Sequence, residues 1–239
     1  MQTNGIHSFR AQVEQGTSHR MNAPVSRNDN RGERNNSKAE QPIFTIDFFE
    51  DAELLPVLTT YSMRMLAVAL VLGVGAFFAA PYIMHGISWA ERDALLSGKI
   101  SCVGWLLGIA GSVVLCCVVH ELIHALCFKL FGPVHASVYL GCRFALGICY
   151  ASAPGIRYRA QDYMCICLAP AIIVSLVCVF IACYTGLWLT FFAIASLHLA
   201  ACTGDFYMVA RIWQYPQISS CEDTAQGMIA YVEDDVCAG

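Results

Sequence analysis

Charge is what this sequence has least of. Only 13% of its 239 residues are Asp, Glu, Lys or Arg, against 57% that are hydrophobic, and its mean hydropathy is +0.54. A soluble domain carries about twice that share of charge, so the composition excludes an ordinary water-soluble globule and points to an integral membrane protein. Lysine and arginine are not clustered, and the net charge is -4. That removes the basic footprint a nucleic-acid partner requires, and no nucleic acid is expected. The thirteen cysteines include no CxxC pair, the spacing of zinc ribbons and thioredoxin-like redox sites. Most of them, Cys116, Cys117, Cys127, Cys165, Cys167, Cys178, Cys183 and Cys202 included, fall inside apolar runs. They read as small buried apolar side chains.

The first 41 residues lack the apolar core of a signal peptide, so the first apolar span is expected to act as the signal itself. Stretches such as NDNRGERNNSKAEQ cannot bury enough surface to offset chain entropy, which makes 1–41 a disordered tail. Residues 42–60 mix aromatics with acids and read as an interfacial segment; residues 216–239 read as a second tail.

Between these lie four apolar runs, about 65–84, 100–131, 163–184 and 187–211. Each is long enough to cross a hydrocarbon core of roughly 30 Å at about 1.5 Å per residue. Pro81 and Pro170 lie inside runs, where a membrane helix tolerates a kink. The expected fold is thus an all-α integral membrane protein of about four transmembrane helices. In the loop at 132–162, VHASVYLGCRFALGICYA partly alternates apolar and polar, which predicts a short hairpin. Arg64, Lys129, Arg143, Arg157, Arg159 and Arg211 flank the spans on the side shared by the loop and both tails, against Arg92 and Lys99 opposite. By the positive-inside rule both termini are expected to be cytoplasmic.

Against this apolar background VVHELIHALCF (118–128) stands out. Residues four apart on a helix share a face, so His120 and His124 can aim at one metal ion. Glu121 would lie where it can take a proton from a water that the metal activates. Each ionisable group near the bilayer centre costs about 2.5–3.5 kcal/mol, which favours a functional site over a coincidence of three. A catalytic zinc site needs a third protein ligand. The extension HExxHxxGxxH fails, because Cys127 and Leu130 stand where its glycine and third histidine belong.

Acids are so few that between Glu121 and Glu222 only Asp162 and Asp205 are candidates. Asp162 is explained as a helix-capping or solvated residue. Asp205 falls as deep along the fourth run as His120 does along the second, beside Gly204, which allows close helix approach. It is either the third ligand or an interfacial carboxylate, and the depth match favours the first. His198, two turns before it, is a candidate accessory residue or simply a histidine bonded to a neighbouring helix. His85 and His135 read as ordinary surface histidines.

The stretches HELIHALCFKLFGP, LAPAIIVSL and HLAACTGDFYMV, over about residues 60–230, resemble a family of small bacterial membrane proteins of unknown function described as "putative zincin peptidase". They are similar, more distantly, to the intramembrane site-2 metalloproteases. The resemblance implies a membrane zincin-like domain over 61–215, with Zn2+ on His120, His124 and Asp205 and Glu121 as base. It also implies hydrolysis of a membrane-protein or peptide substrate in or next to the bilayer. Site-2 proteases present their aspartate as Leu-Asp-Gly with an upstream Asn-Pro; here Thr203-Gly204-Asp205-Phe206 stands with no Asn-Pro nearby. The competing class is a non-proteolytic membrane protein, transporter-like or a degenerate protease, using the site for metal binding or proton relay. Oligomeric state is not legible.

Overall fold

A computed structural model of the protein describes residues 40–48, 51, 54–83, 89–134, 136–143, 148–224 and 227–233. Residues 1–39 of the tail expected at 1–41 lie outside the described residues, as do His85 and His135, and the last two residues of that tail, Glu40 and Gln41, belong to a strand. In chain order the elements are β1 (Glu40–Asp47), α1 (Leu54–Ile83), α2 (Ala90–Leu96), α3 (Cys102–Phe131), β2 (Tyr139–Arg143), β3 (Ile148–Ser152) and β4 (Arg157–Arg159). They continue with α4 (Ala160–Thr185), α5 (Trp188–Ala201), α6 (Thr203–Gln214), β5 (Ile218–Thr224) and β6 (Gly227–Glu233).

Three helices, α1, α3 and α4, are long and apolar enough to cross a membrane, and α5 with α6 makes a fourth if that bent pair is one span. Large apolar side chains such as Leu70, Val71, Leu107, Val114, Leu176 and Phe180 face outward along them. Water would penalise that surface; hydrocarbon would not. Between the helices a smaller core of Ile109, Val174, Cys178 and Ile194 is buried. Helix α4 runs unbroken through Pro170 and ends on Gly186, whose φ of 75° is the left-handed conformation that closes a helix.

The fold is not all-α. β1, β6, β5 and β4 form an antiparallel sheet in that order, and β2 with β3 forms a separate hairpin where the alternation predicted one. Two segments without obvious strand signals, 40–47 and 227–233, pair with one another across most of the chain. Ile46, Tyr158, Cys221, Met228 and Ala230 on the sheet pack against Leu54, Cys127, Phe128, Tyr163, Ile166, Met208 and Ile212 on the helices. The sheet therefore sits at the end of the bundle where α1 and α4 begin and where α3 and α6 finish. α1 begins at Leu54, well before the expected start of the first apolar run, and Leu54 packs into the core beneath the sheet while Leu55 beside it is exposed.

The last apolar run is also not one straight helix. α5 and α6 meet at 51° around Cys202. Breaking a helix frees a carbonyl, and here the Ala200 carbonyl accepts hydrogen bonds from the hydroxyls of Ser62 on α1 and of Thr203, the latter at 2.6 Å. Hydroxyls from within and across the bundle thus satisfy the break without water. The other end of α5 is capped from α2. Glu91, buried, accepts from the Leu189 N–H at 3.0 Å and the Thr190 N–H at 3.1 Å, placing a carboxylate on the positive end of the helix.

Candidate metal centre

His120 and His124 lie one turn apart on α3, two to three turns before its C-terminus at Phe131. Across from them, the bend at Cys202 brings Asp205 into the first turn of α6. His120 Nε2 is 3.0 Å from His124 Nε2 and 3.3 Å from Asp205 Oδ2, and His124 Nε2 is 3.5 Å from Asp205 Oδ1. Two imidazole nitrogens and the two oxygens of one carboxylate, four lone-pair-bearing atoms from three side chains, thus converge within one site. Zinc bound at about 2.0–2.1 Å in tetrahedral geometry separates its ligands by roughly 3.3 Å, and the three observed separations bracket that value. Two imidazoles and a carboxylate are also the donor types of a catalytic zinc site, and the fourth corner is left to water or substrate. The residues fit the ion.

Glu121 stands beside this triangle with its two oxygens differently engaged. Oε1 is 4.0 Å from His120 Nε2, whereas Oε2 accepts a hydrogen bond from the Ala151 N–H at 2.7 Å. In β3, Ala151 lies opposite Leu140 of β2, and its N–H is the one that reaches Glu121 on α3. The hairpin therefore fixes the rotamer of Glu121. Gly141 lets the hairpin close, since a Cβ there would sit 2.4 Å from the ring of Tyr150 across the ladder.

Behind His120 the structure places His198, buried, with Nε2 3.1 Å from His120 Nδ1. If that contact carries the His120 Nδ1 proton, the Nε2 lone pair of His120 is free for metal. His198 thereby joins the site through His120 rather than facing the reacting atoms. The Nδ1 of His124 has no hydrogen-bond partner among the described residues; its ring stacks on Phe128.

Reading the sequence alone missed two neighbours. Cys202, taken as a plain apolar side chain, has its sulfur 3.7 Å from His120 Nδ1 and 3.8 Å from His198 Nε2. Its signal was the four-residue spacing from His198, the same helical repeat as in HELIH. The second neighbour is Asp223 on β5, one residue beyond the range in which acidic partners were sought. It is buried, its Oδ1 accepts from the Tyr163 hydroxyl at 3.0 Å, and its Oδ2 accepts from the Ala153 N–H at 3.2 Å. Burial pushes the Asp223 carboxyl up to about 7, against the pull of those hydrogen bonds. Asp162 lies in the first turn of α4 and is not brought to the triangle; the N-cap residue of that helix is Arg159, and no side chain caps it.

Residues 113–219 match the model of a family described as "Putative zincin peptidase". The matched span holds His120, Glu121, His124, His198, Cys202 and Asp205, together with all three stretches that carry the resemblance, and ends before Asp223. No curated protein and no solved structure matches the chain.

Proposed function

We propose, from that family match and the geometry beside it, that the chain is a zinc-dependent peptidase that cleaves polypeptides within or next to a membrane. One observation carries the reading: His120, His124 and Asp205 converge at ligand spacing, with Glu121 alongside, where the apolar helix α3 meets the start of α6. Uncompensated, such a cluster would be costly to hold in hydrocarbon, and a bound cation offsets that cost.

In this reading His120 and His124 hold the ion through Nε2 and Asp205 through its carboxylate, with His198 keeping His120 in the ligating tautomer. When bound there, zinc supplies Lewis acidity toward a water and a peptide carbonyl. Glu121 does the proton work. Oε2 stays on the Ala151 N–H while Oε1 accepts a proton from the attacking water and later delivers it to the departing amine nitrogen. The substrate lies extended along the β2–β3 hairpin, whose Tyr139 and Leu140 are exposed. The basic residues that flank the helices at the sheet end support a cytoplasmic side for that end and for both termini.

The test is zinc per chain in detergent-purified wild type and Asp205→Ala. About one ion in the wild type, lost in the variant, supports the three-ligand site. Equal zinc in both removes Asp205 from it, and no zinc in either removes the peptidase reading.

A further inference from the structure

We propose that Asp223 is a positioning residue for Glu121, which makes strand β5 part of the active site although Asp223 lies outside the family-matched span. This rests on the reading of Glu121 as the proton-transfer group.

The geometry runs along one strand edge. In an extended chain, residues two apart direct their N–H groups to the same side. Ala151 and Ala153 are such a pair at the end of β3. The Ala151 N–H holds Glu121, and the Ala153 N–H, just past the strand's end, holds Asp223. Two carboxylates from distant parts of the chain thus hang on neighbouring rungs, one aimed at the metal site and the other set in the sheet. Where the first sits depends on where the second pins the strand.

Apart from the bond to Glu121 itself, two contacts anchor the strand, and Asp223 is the firmer. The other is β2, and Tyr139 and Leu140 of that strand are 59% and 57% exposed. Asp223 belongs to the four-stranded sheet and is tied through the Tyr163 hydroxyl to α4, and both Tyr163 and Ala153 are almost fully buried. An apolar residue at 223 would leave the Ala153 N–H without a partner in a dry environment, so the strand end would shift to find one. The 2.7 Å bond that orients Glu121 would shift with it.

The experiment compares full-length wild type with Asp223→Leu, Asp223→Asn and Tyr163→Phe in detergent. Three quantities are read: zinc per chain, amide hydrogen exchange over residues 148–153, and kcat and KM on a dye-labelled casein. Leucine should leave zinc at the wild-type level and speed exchange at Ala151 and Ala153 about tenfold or more. It should lower kcat about ten- to a hundredfold, with KM within about threefold, the scale of one charge-assisted hydrogen bond. Asparagine can still accept from the Ala153 N–H and should restore most of both. Phenylalanine at 163 removes one of the two bonds, should act in the same direction but less, and keeps the test alive if the leucine variant does not fold.

Unchanged exchange overturns the proposal. So does a kcat loss matched by zinc loss, which would make Asp223 a support of the metal ligands. A wild type that cleaves nothing in the presence of zinc counts against the peptidase reading. The exchange and zinc readings would still decide whether Asp223 holds the strand that orients Glu121.

Discussion

Replacing Glu121 by Gln separates the two oxygens of that side chain. Oε2 is engaged by the Ala151 N–H at 2.7 Å, and Oε1 points toward the metal site, 4.0 Å from His120 Nε2. A glutamine amide can keep the first contact through its oxygen, which leaves its NH2 group where the proton-accepting oxygen was. Geometry and ligands are then preserved while the base is lost. The expected fall in kcat is about 10²- to 10⁴-fold, or roughly 2.7–5.5 kcal/mol of barrier, with zinc per chain and KM close to wild type. Glu121→Ala should fall at least as far and also free the Ala151 N–H, so amide exchange at Ala151 should rise in the alanine variant and not in the glutamine one. Single-turnover cleavage of a labelled peptide, with zinc measured on the same samples, reads both effects. Glutamine retaining more than half of wild-type kcat would refute the assignment of Glu121 as base. Loss of zinc in the glutamine variant would refute the separation of its two oxygens.

Other outcomes follow from the same contacts. His198→Leu removes the partner of His120 Nδ1 and should weaken zinc about ten- to a hundredfold without removing it, measurable by competition with a chelator. Asp223 gives a pH signature: its folded value of about 7 lies above the unfolded 3.8, so between those values the native state binds the extra proton. Stability therefore falls as pH rises from about 4 to about 7 and then levels, by an amount on the order of 4 kcal/mol. Asp223→Asn should remove that slope from thermal unfolding scans, and parallel curves for the two proteins would contradict it. Gly141→Ala should push the Tyr150 ring aside and loosen the hairpin, lowering activity, and Tyr150→Ala in the same chain should restore part of it.

The grouping of the candidate ligands was legible because two simple rules met. Helical periodicity puts His120 and His124 on one face, and the scarcity of acids left Asp205 as the one carboxylate of matching depth. The fourth run bends instead of continuing straight, and Asp205 still reaches the depth of His120 because the break at Cys202 falls only three residues before it. The sheet was not legible. β1 and β6 are separated by nearly the whole described chain, and their residues mix acids with aromatics instead of alternating cleanly, so periodicity carries no pairing signal. Asp223 was invisible for the same reason. Its role depends on which strand lies beside Ala153, and no spacing within the sequence records that.

The sheet that joins β1 to β6 also sets an order of events during synthesis. His120, Glu121 and His124 leave the ribosome about eighty residues before Asp205, and β6 emerges later still. At ordinary elongation rates that interval is several seconds. Through it the two imidazoles wait without their carboxylate, and the strand that steadies Glu121 waits without Asp223. Completion of the candidate site is therefore one of the last steps in making the protein, and a chain cut short before β5 would carry its histidines without the strand contacts that steady Glu121.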